Sequence, residues 1–264
     1  MNRLFQLQQA EKGDIAFSDD LLMWMLDTIG SLDSIEREAV YSGWVRALSG
    51  NQLTAKQKKW LLRESNQRHL LFTGIELNVS DNVFIRSFTA LLWTNLLENH
   101  QLHPWMTPEE VRDMIQSSFR YLLLEQDSRG YVEGHGWAHA FAHGADLMGQ
   151  CALSSVDIQD QAKVLRVLRR ALLDIENFLY GEEGRLAKAT VLWLQAKKLD
   201  EAELLDWVEQ CSLKLSLSKV YNVCWKNYLM CLAYTLKAEM MMTMNSESAI
   251  DKALRRYYDD HHCF

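Results

Sequence analysis

The amino-acid sequence predicts an all-α fold, in which antiparallel helix pairs stack into an α/α superhelix of the HEAT or armadillo kind, as a single domain over 1–264. Three observations lead there. Only 2 of the 264 residues are proline, and both lie in His103-Pro104-Trp105-Met106-Thr107-Pro108, against an average usage of about 5%. Apolar residues recur at helical spacing through most of the chain, with Leu70 to Val79 the one short strand candidate. Helix starts come roughly 20 to 28 residues apart, so a pair fills about the 40–47 residues of a HEAT or armadillo unit. A closed α/α barrel of similar helices is the rival arrangement.

The elements follow in order from their start and stop signals. A helix near 19–29 is closed by Gly30, and one near 34–49 opens on Asp33 with Glu36 and is closed by Gly50. Thr54 with Gln57 opens the next, near 54–68, by the same capping-box spacing. A helix near 80–98 carries Asp81-Asn82-Val83-Phe84-Ile85-Arg86-Ser87-Phe88. Thr107-Pro108-Glu109-Glu110 then supplies an N-cap, a first-turn proline and a capping-box Glu. The stripe Val111, Met114, Ile115, Phe119, Leu122 and Leu123 extends that helix over 108–125. Further helices are expected near 136–149, 156–179, 184–197, 200–215 (opened by Asp200 with Glu203), 219–243 and 247–258. Met240 to Met244 reads as adaptable packing or an interface. Trp105, between the two prolines, is the tryptophan expected to be exposed.

Composition excludes several functions. With 48% hydrophobic and 24% charged residues, disordered and collagen-like readings fall away, and the chain can bury about three quarters of its unfolded surface. The net charge of −7 opposes a general nucleic-acid binder, because phosphate affinity comes from Lys and Arg. No run of about 18 uncharged apolar residues offers a membrane span, and Met1 to Asp14 lacks a signal-peptide core, so a cytoplasmic protein is expected. The cysteines Cys151, Cys211, Cys224, Cys231 and Cys263 form no CxxC pair and read as buried thiols.

Chemistry concentrates between Asp127 and Asp146. Five of the 12 glycines and three of the 8 histidines lie between Gly130 and Gly149. On a helix over 136–149, His139, His143 and Asp146 share one face, while Trp137, Phe141 and Met148 reach the core. The small residues Ala138, Ala140, Ala142, Gly144 and Ala145 let other helices approach, turning the polar stripe toward a groove. His at i and i+4 is a metal-binding spacing, but Ala140 stands where the zincin pattern needs its Glu. The rise from His139 to Asp146 is about 10.5 Å, too long for all three to share one ion. No cofactor and no metal are therefore expected; a metal would use His139 with His143, or His143 with Asp146. Arg86, set among core residues, needs a carboxylate or backbone acceptors, for which Asp127 and Asp146 are candidates. His261 and His262, at the end of the chain, point to different faces.

Three segments resemble the signature of domain-of-unknown-function family twenty-seven eighty-five. They are Asn82-Val83-Phe84-Ile85-Arg86-Ser87-Phe88, Glu125-Gln126-Asp127-Ser128-Arg129-Gly130-Tyr131, and the run Gly136-Trp137-Ala138-His139-Ala140-Phe141-Ala142-His143-Gly144-Ala145-Asp146. The resemblance implies an all-helical bacterial protein and supplies no activity.

Two functions remain open. One is a binding or scaffold module that presents a polar groove around His139, His143 and Asp146 to a protein, peptide or small-molecule ligand, with Arg86, Asp127, Arg129, His135 and Trp137 as further ligand-binding candidates. The other is a hydrolase-like enzyme that uses the His139, His143 and Asp146 stripe, with His139 or His143 as base, with or without a metal. Carbohydrate chemistry would need two carboxylates about 5–9 Å apart, with Glu133 and Asp146 the available pair.

Overall fold

The computed structural model describes residues 3–10, 16–156, 161–175 and 178–260. Helices dominate, as the periodicity requires. They are α1 (Arg3–Ala10), α2 (Asp19–Asp27), α3 (Ser34–Ser49), α4 (Ala55–Gln67), α5 (Asn82–Leu102), α6 (Pro108–Leu124), α7 (Ala140–Ala152), α8 (Gln161–Leu173), α9 (Glu182–Gln195), α10 (Glu201–Ser218), α11 (Val223–Ala238) and α12 (Met244–Asp260). A two-stranded antiparallel hairpin, β1 (Tyr131–Val132) and β2 (Gly136–Trp137), lies between α6 and α7. The chain divides into two compact units, Met1–Val156 and Asp157–Phe264.

Local signals set the helix ends. Thr54 with Gln57 and Thr107 with Glu110 form complete capping boxes, and Asp33 and Asp200 accept first-turn amides of α3 and α10, each cap being worth about 0.5–2 kcal/mol. Gly30 proves to be a contact residue rather than a helix stop. A Cβ there would lie 2.2 Å from Ile85 Cγ1, so only glycine lets this turn meet α5.

In the first unit α5 is buried nearly all round and packs most extensively on α7 and α3. A helix apolar on every side belongs in a core. Phe84 of α5 packs with Ala138 and with Ala140 at the start of the small-residue helix α7, where Phe141 and Met148 are buried as expected. Trp93 turns instead to α4, its Nε1 donating to Ser65 Oγ. Gly144 sits against α6; a Cβ would fall 2.6 Å from Leu122 Cδ2 and 2.8 Å from Tyr121 Cε1. In the second unit, helices two apart in sequence again make the main contacts, α9 with α11 and α10 with α12. Their core includes Trp193, Trp225 and Tyr228.

Several expectations need correction. Leu70 to Val79 is no strand; it holds one 3-10 turn at Leu70–Phe72. The helix expected over 219–243 begins only at Val223, where the Asn222 side chain accepts Trp225 N at 2.7 Å. The helix expected over 156–179 is described only as α8. Helix α1 (Arg3–Ala10) lies ahead of the first helix that the sequence predicts. Of the methionines between Met240 and Met244, Met241 and Met242 are half-buried, whereas Met240 and Met244 are 93% and 88% exposed and do not pack within the chain. Trp105 is half-buried and tied down, its Nε1 donating to Asn99 Oδ1 at 3.0 Å and its amide to His100 Nδ1 at 2.9 Å. Cys151, Cys211 and Cys224 are buried thiols and Cys231 is half-buried. Cys263, His261 and His262 lie outside the described residues.

Candidate functional site

The segment that carries the histidines does not start as a helix. Gly134 and Gly136 both adopt φ of +79°, a conformation glycine reaches without steric cost. Between them the chain turns, pairing Tyr131 with Trp137 and Val132 with Gly136. A side chain at Gly136 would also press on Arg37 Nη2, 3.2 Å from its Cβ. Helix α7 therefore begins at Ala140 rather than near 136, and His139 is its N-cap residue, left-handed at φ 49° with no side-chain capping bond. A non-glycine residue in that region costs about 1–3 kcal/mol unless its surroundings hold it.

Those surroundings are specific. His139 N donates to Arg129 O at 3.2 Å and Ala138 N to Gly130 O at 2.7 Å, closing the base of the hairpin. Ser87 of α5 is fully buried; its hydroxyl donates to the Ala138 carbonyl and lies 2.6 Å from His143 Nδ1. A serine hydroxyl carries one proton. With that proton on the carbonyl, His143 Nδ1 is the donor to Ser87 Oγ, which fixes the imidazole tautomer. Phe88 meets the His143 ring edge-on at 5.5 Å.

Arg37 of α3 holds the hairpin from the other side. It is fully buried, its guanidinium lying 4.2 Å from the centroid of Phe84 and 5.0 Å from that of Phe88. It donates to Ser31 O at 2.5 Å and to the His135 carbonyl. Burial lowers its pKa, with Glu38 and Asp33 opposing the shift.

A third anchor is ionic. Arg86 Nε and Nη2 donate to Glu125 Oε2 and Oε1, both at 2.8 Å, and Nη1 donates to the carbonyls of Thr73 and Gly74. Both side chains are fully buried. Burial alone would lower the Arg86 pKa, but hydrogen bonding and attraction from Glu125 outweigh it and raise it. Glu125 Oε1 also accepts the amides of Gln126 and Asp127, each at 3.0 Å. The partner of Arg86 is thus Glu125, neither Asp127 nor Asp146. Asp127 is buried and takes both Nε and Nη2 of Arg129, whose Nη2 also reaches Ser80 O at 2.9 Å.

These anchors present an aromatic surface. Trp137, expected in the core, is 41% exposed and stacks on His139 with ring centroids 4.5 Å apart and planes 10° from parallel. Tyr131, 49% exposed, meets Trp137 edge-on at 5.1 Å. His143 follows at 5.8 Å from the His139 ring, and His135 meets Phe84 at 6.1 Å. His139, His143 and Asp146 are each half-buried. Among the described residues no group of three or more His, Cys, Asp or Glu side chains is arranged to hold a metal ion. The hairpin's own signal was present in the sequence, Gly134 just before the expected helix and Gly136 at its first position.

The fold and this site define an all-helical protein in which a buried polar framework supports an exposed aromatic hairpin. The chain belongs to the family DUF2785, described as a protein of unknown function, whose model matches residues 71–235, the span that includes the Arg86, Glu125 and His143 segments. No curated protein and no solved structure matches the chain.

Proposed function

We propose that the protein is a binding module whose ligand docks on the aromatic platform of Tyr131, Trp137 and His139, with His143, Asp146 and His135 at its margin. One observation carries this reading. An exposed tryptophan stacks parallel to a left-handed histidine, on a hairpin that the buried side chains of Arg37 and Ser87 fasten to α3 and α5. Such fixed aromatic groups contribute most to recognition because little side-chain freedom is lost on binding. Arg86, Asp127 and Arg129 serve the platform by fixing its loop rather than by touching ligand, because their charges are already paired within the chain.

Packing between helices two apart supports an α/α superhelix of the HEAT or armadillo kind as the scaffold. Thiols rather than disulfides at Cys151, Cys211, Cys224 and Cys231 support a cytoplasmic setting. No described helix is long and apolar enough to cross a membrane.

The test is ligand-observed NMR with a fragment library of sugars, aryl compounds and short peptides, run on the protein and on Trp137→Ala. Platform ligands should weaken at least ten-fold in the variant, with thermal stability changed by no more than about 0.5 kcal/mol as for other surface substitutions. Fragments that bind both proteins equally would defeat the reading.

The alternative, a hydrolase-like enzyme, draws on the 2.6 Å approach of His143 to Ser87. The tautomer argues against it. A base must offer a lone pair to the hydroxyl, and here the Ser87 proton is directed to Ala138 O.

A further inference from the structure

In the second unit, α8 and α10 border a groove of about 480 Å³. Leu165, Trp207 and Cys211 give it an apolar lining, and Arg166, Arg169 and Lys214 stand around it. The two helices run in the same direction. Near their N-termini Gln161 Oε1 accepts Asp200 N at 2.6 Å, and further along Arg169 is near enough to Cys211 to oppose the rise of its thiol pKa. The groove is therefore polar along its length, with Glu203 toward the N-terminal end and Arg169 and Lys214 toward the C-terminal end. Among the described residues, no ion pair or hydrogen bond engages the side chains of Arg166, Arg169 or Lys214. Against Glu203 at the far end and Asp174, which also acts on Cys211, these three cations leave the groove net positive in a chain whose net charge is −7, and a low-dielectric wall strengthens their field. The wall is low-dielectric because Trp207 and Cys211 are buried, and that burial pushes the Cys211 thiol up to about 11.

We propose that this groove binds a medium-chain fatty carboxylate, its head at Arg166, Arg169 and Lys214 and its chain over Leu165, Trp207 and Cys211. Size favours a small ligand over a protein partner. The lined stretch of α8, from Ala162 to Arg169, is about 10.5 Å long, and that of α10, from Glu203 to Lys214, about 16.5 Å. The volume falls within the roughly 300–1,000 Å³ of small-molecule sites, and a stable protein interface needs about 800 Å² on each side. Arginine pairs with a carboxylate in a bidentate fork, giving the head a defined seat. The site is separate from the aromatic platform and does not depend on it.

Calorimetric titration with decanoate, decanol and decyltrimethylammonium separates head from chain. Decanoate should bind at least ten-fold more tightly than either, and raising salt from about 50 to about 500 mM should weaken it, as for solvent-exposed charges. The double variant Arg169→Ala/Lys214→Ala, exposed on both helices, should lose at least ten-fold while keeping its melting temperature. Leu165→Trp should abolish binding with every cation still in place, because the larger side chain fills the groove. Equal affinity for decanol and decanoate, unchanged binding by the double variant, or no binding of decanoate up to about 1 mM would each overturn the proposal. So would a concentration-dependent dimer dissolved by the same double variant, which would make the groove an interface between copies of the chain.

Discussion

Two buried arginines fix the hairpin region, and they are solvated in opposite ways. Arg86 has a bidentate carboxylate, Glu125, and two carbonyls; Arg37 has two carbonyls and two aromatic faces. The carboxylate raises the first pKa, whereas burial lowers the second. The Arg37 Nε finds no hydrogen-bond partner, so that cation is incompletely solvated. The contrast assigns different tasks. The Arg86–Glu125 pair anchors the loop leaving α6, and removing either member strands a buried charge. Arg37 only steadies the hairpin that follows, and an apolar replacement strands no charge.

The largest effect should come from Glu125→Ala, which leaves Arg86 buried without its counter-ion at a cost of about 3–5 kcal/mol. At about 2–4 °C per kcal/mol for a protein of this size class, calorimetry should record a melting temperature lower by roughly 10 °C. A loss below about 1 kcal/mol, the range of exposed pairs, would mean the pair carries no such burden.

Next comes His143→Ala. It removes the donor to Ser87 Oγ and should cost about 1–3 kcal/mol, the range for a buried group left unsatisfied. Unaltered denaturant stability would show that His143 is not part of the supporting framework.

Arg37→Met tests the other half of the contrast. Two carbonyls lose a donor, but an incompletely solvated cation leaves the core, so the net change should stay within about 1.5 kcal/mol. A loss equal to that of Glu125→Ala would erase the distinction between the two arginines.

The smallest effect is pH-dependent and concerns another cation solvated without a carboxylate. Lys58 donates to Asn51 Oδ1 and Asn99 Oδ1, both at 2.9 Å. Nearby His100 accepts the amides of Trp105 and Met106 at Nδ1. Burial lowers the His100 pKa, Glu110 opposes the shift and Lys58 adds to it. A folded pKa below the unfolded value of about 6.5 means the unfolded chain takes the proton first, so stability falls as pH drops below that value. Thermal melts between about pH 7 and pH 5 should show a shallower decline in His100→Asn, which cannot titrate there. Identical slopes would exclude His100 as the source.

Helix ends were legible in the sequence because capping is local. Thr54 with Gln57 and Thr107 with Glu110 act within one turn, and their spacing alone identifies them. The inward face of α7 was legible for the same reason, from Phe141, Met148 and the small residues between them. The family signature was legible too, as three runs of residues within the span that the family model matches. The outward turn of Trp137 was not, because periodicity extended a helix across Gly136 where two positive-φ glycines close a hairpin. Only the tertiary structure gave Arg86 its partner. Glu125 lies 39 residues away, and Asp127 or Asp146 would have served equally well by charge. Pairing across such distances depends on how α5 and α6 pack, which residue chemistry alone does not specify. The sequence determined which groups had to be buried, because helical periodicity and capping are properties of neighbouring residues. The tertiary structure decided what each buried group meets, because that depends on segments far apart in the chain.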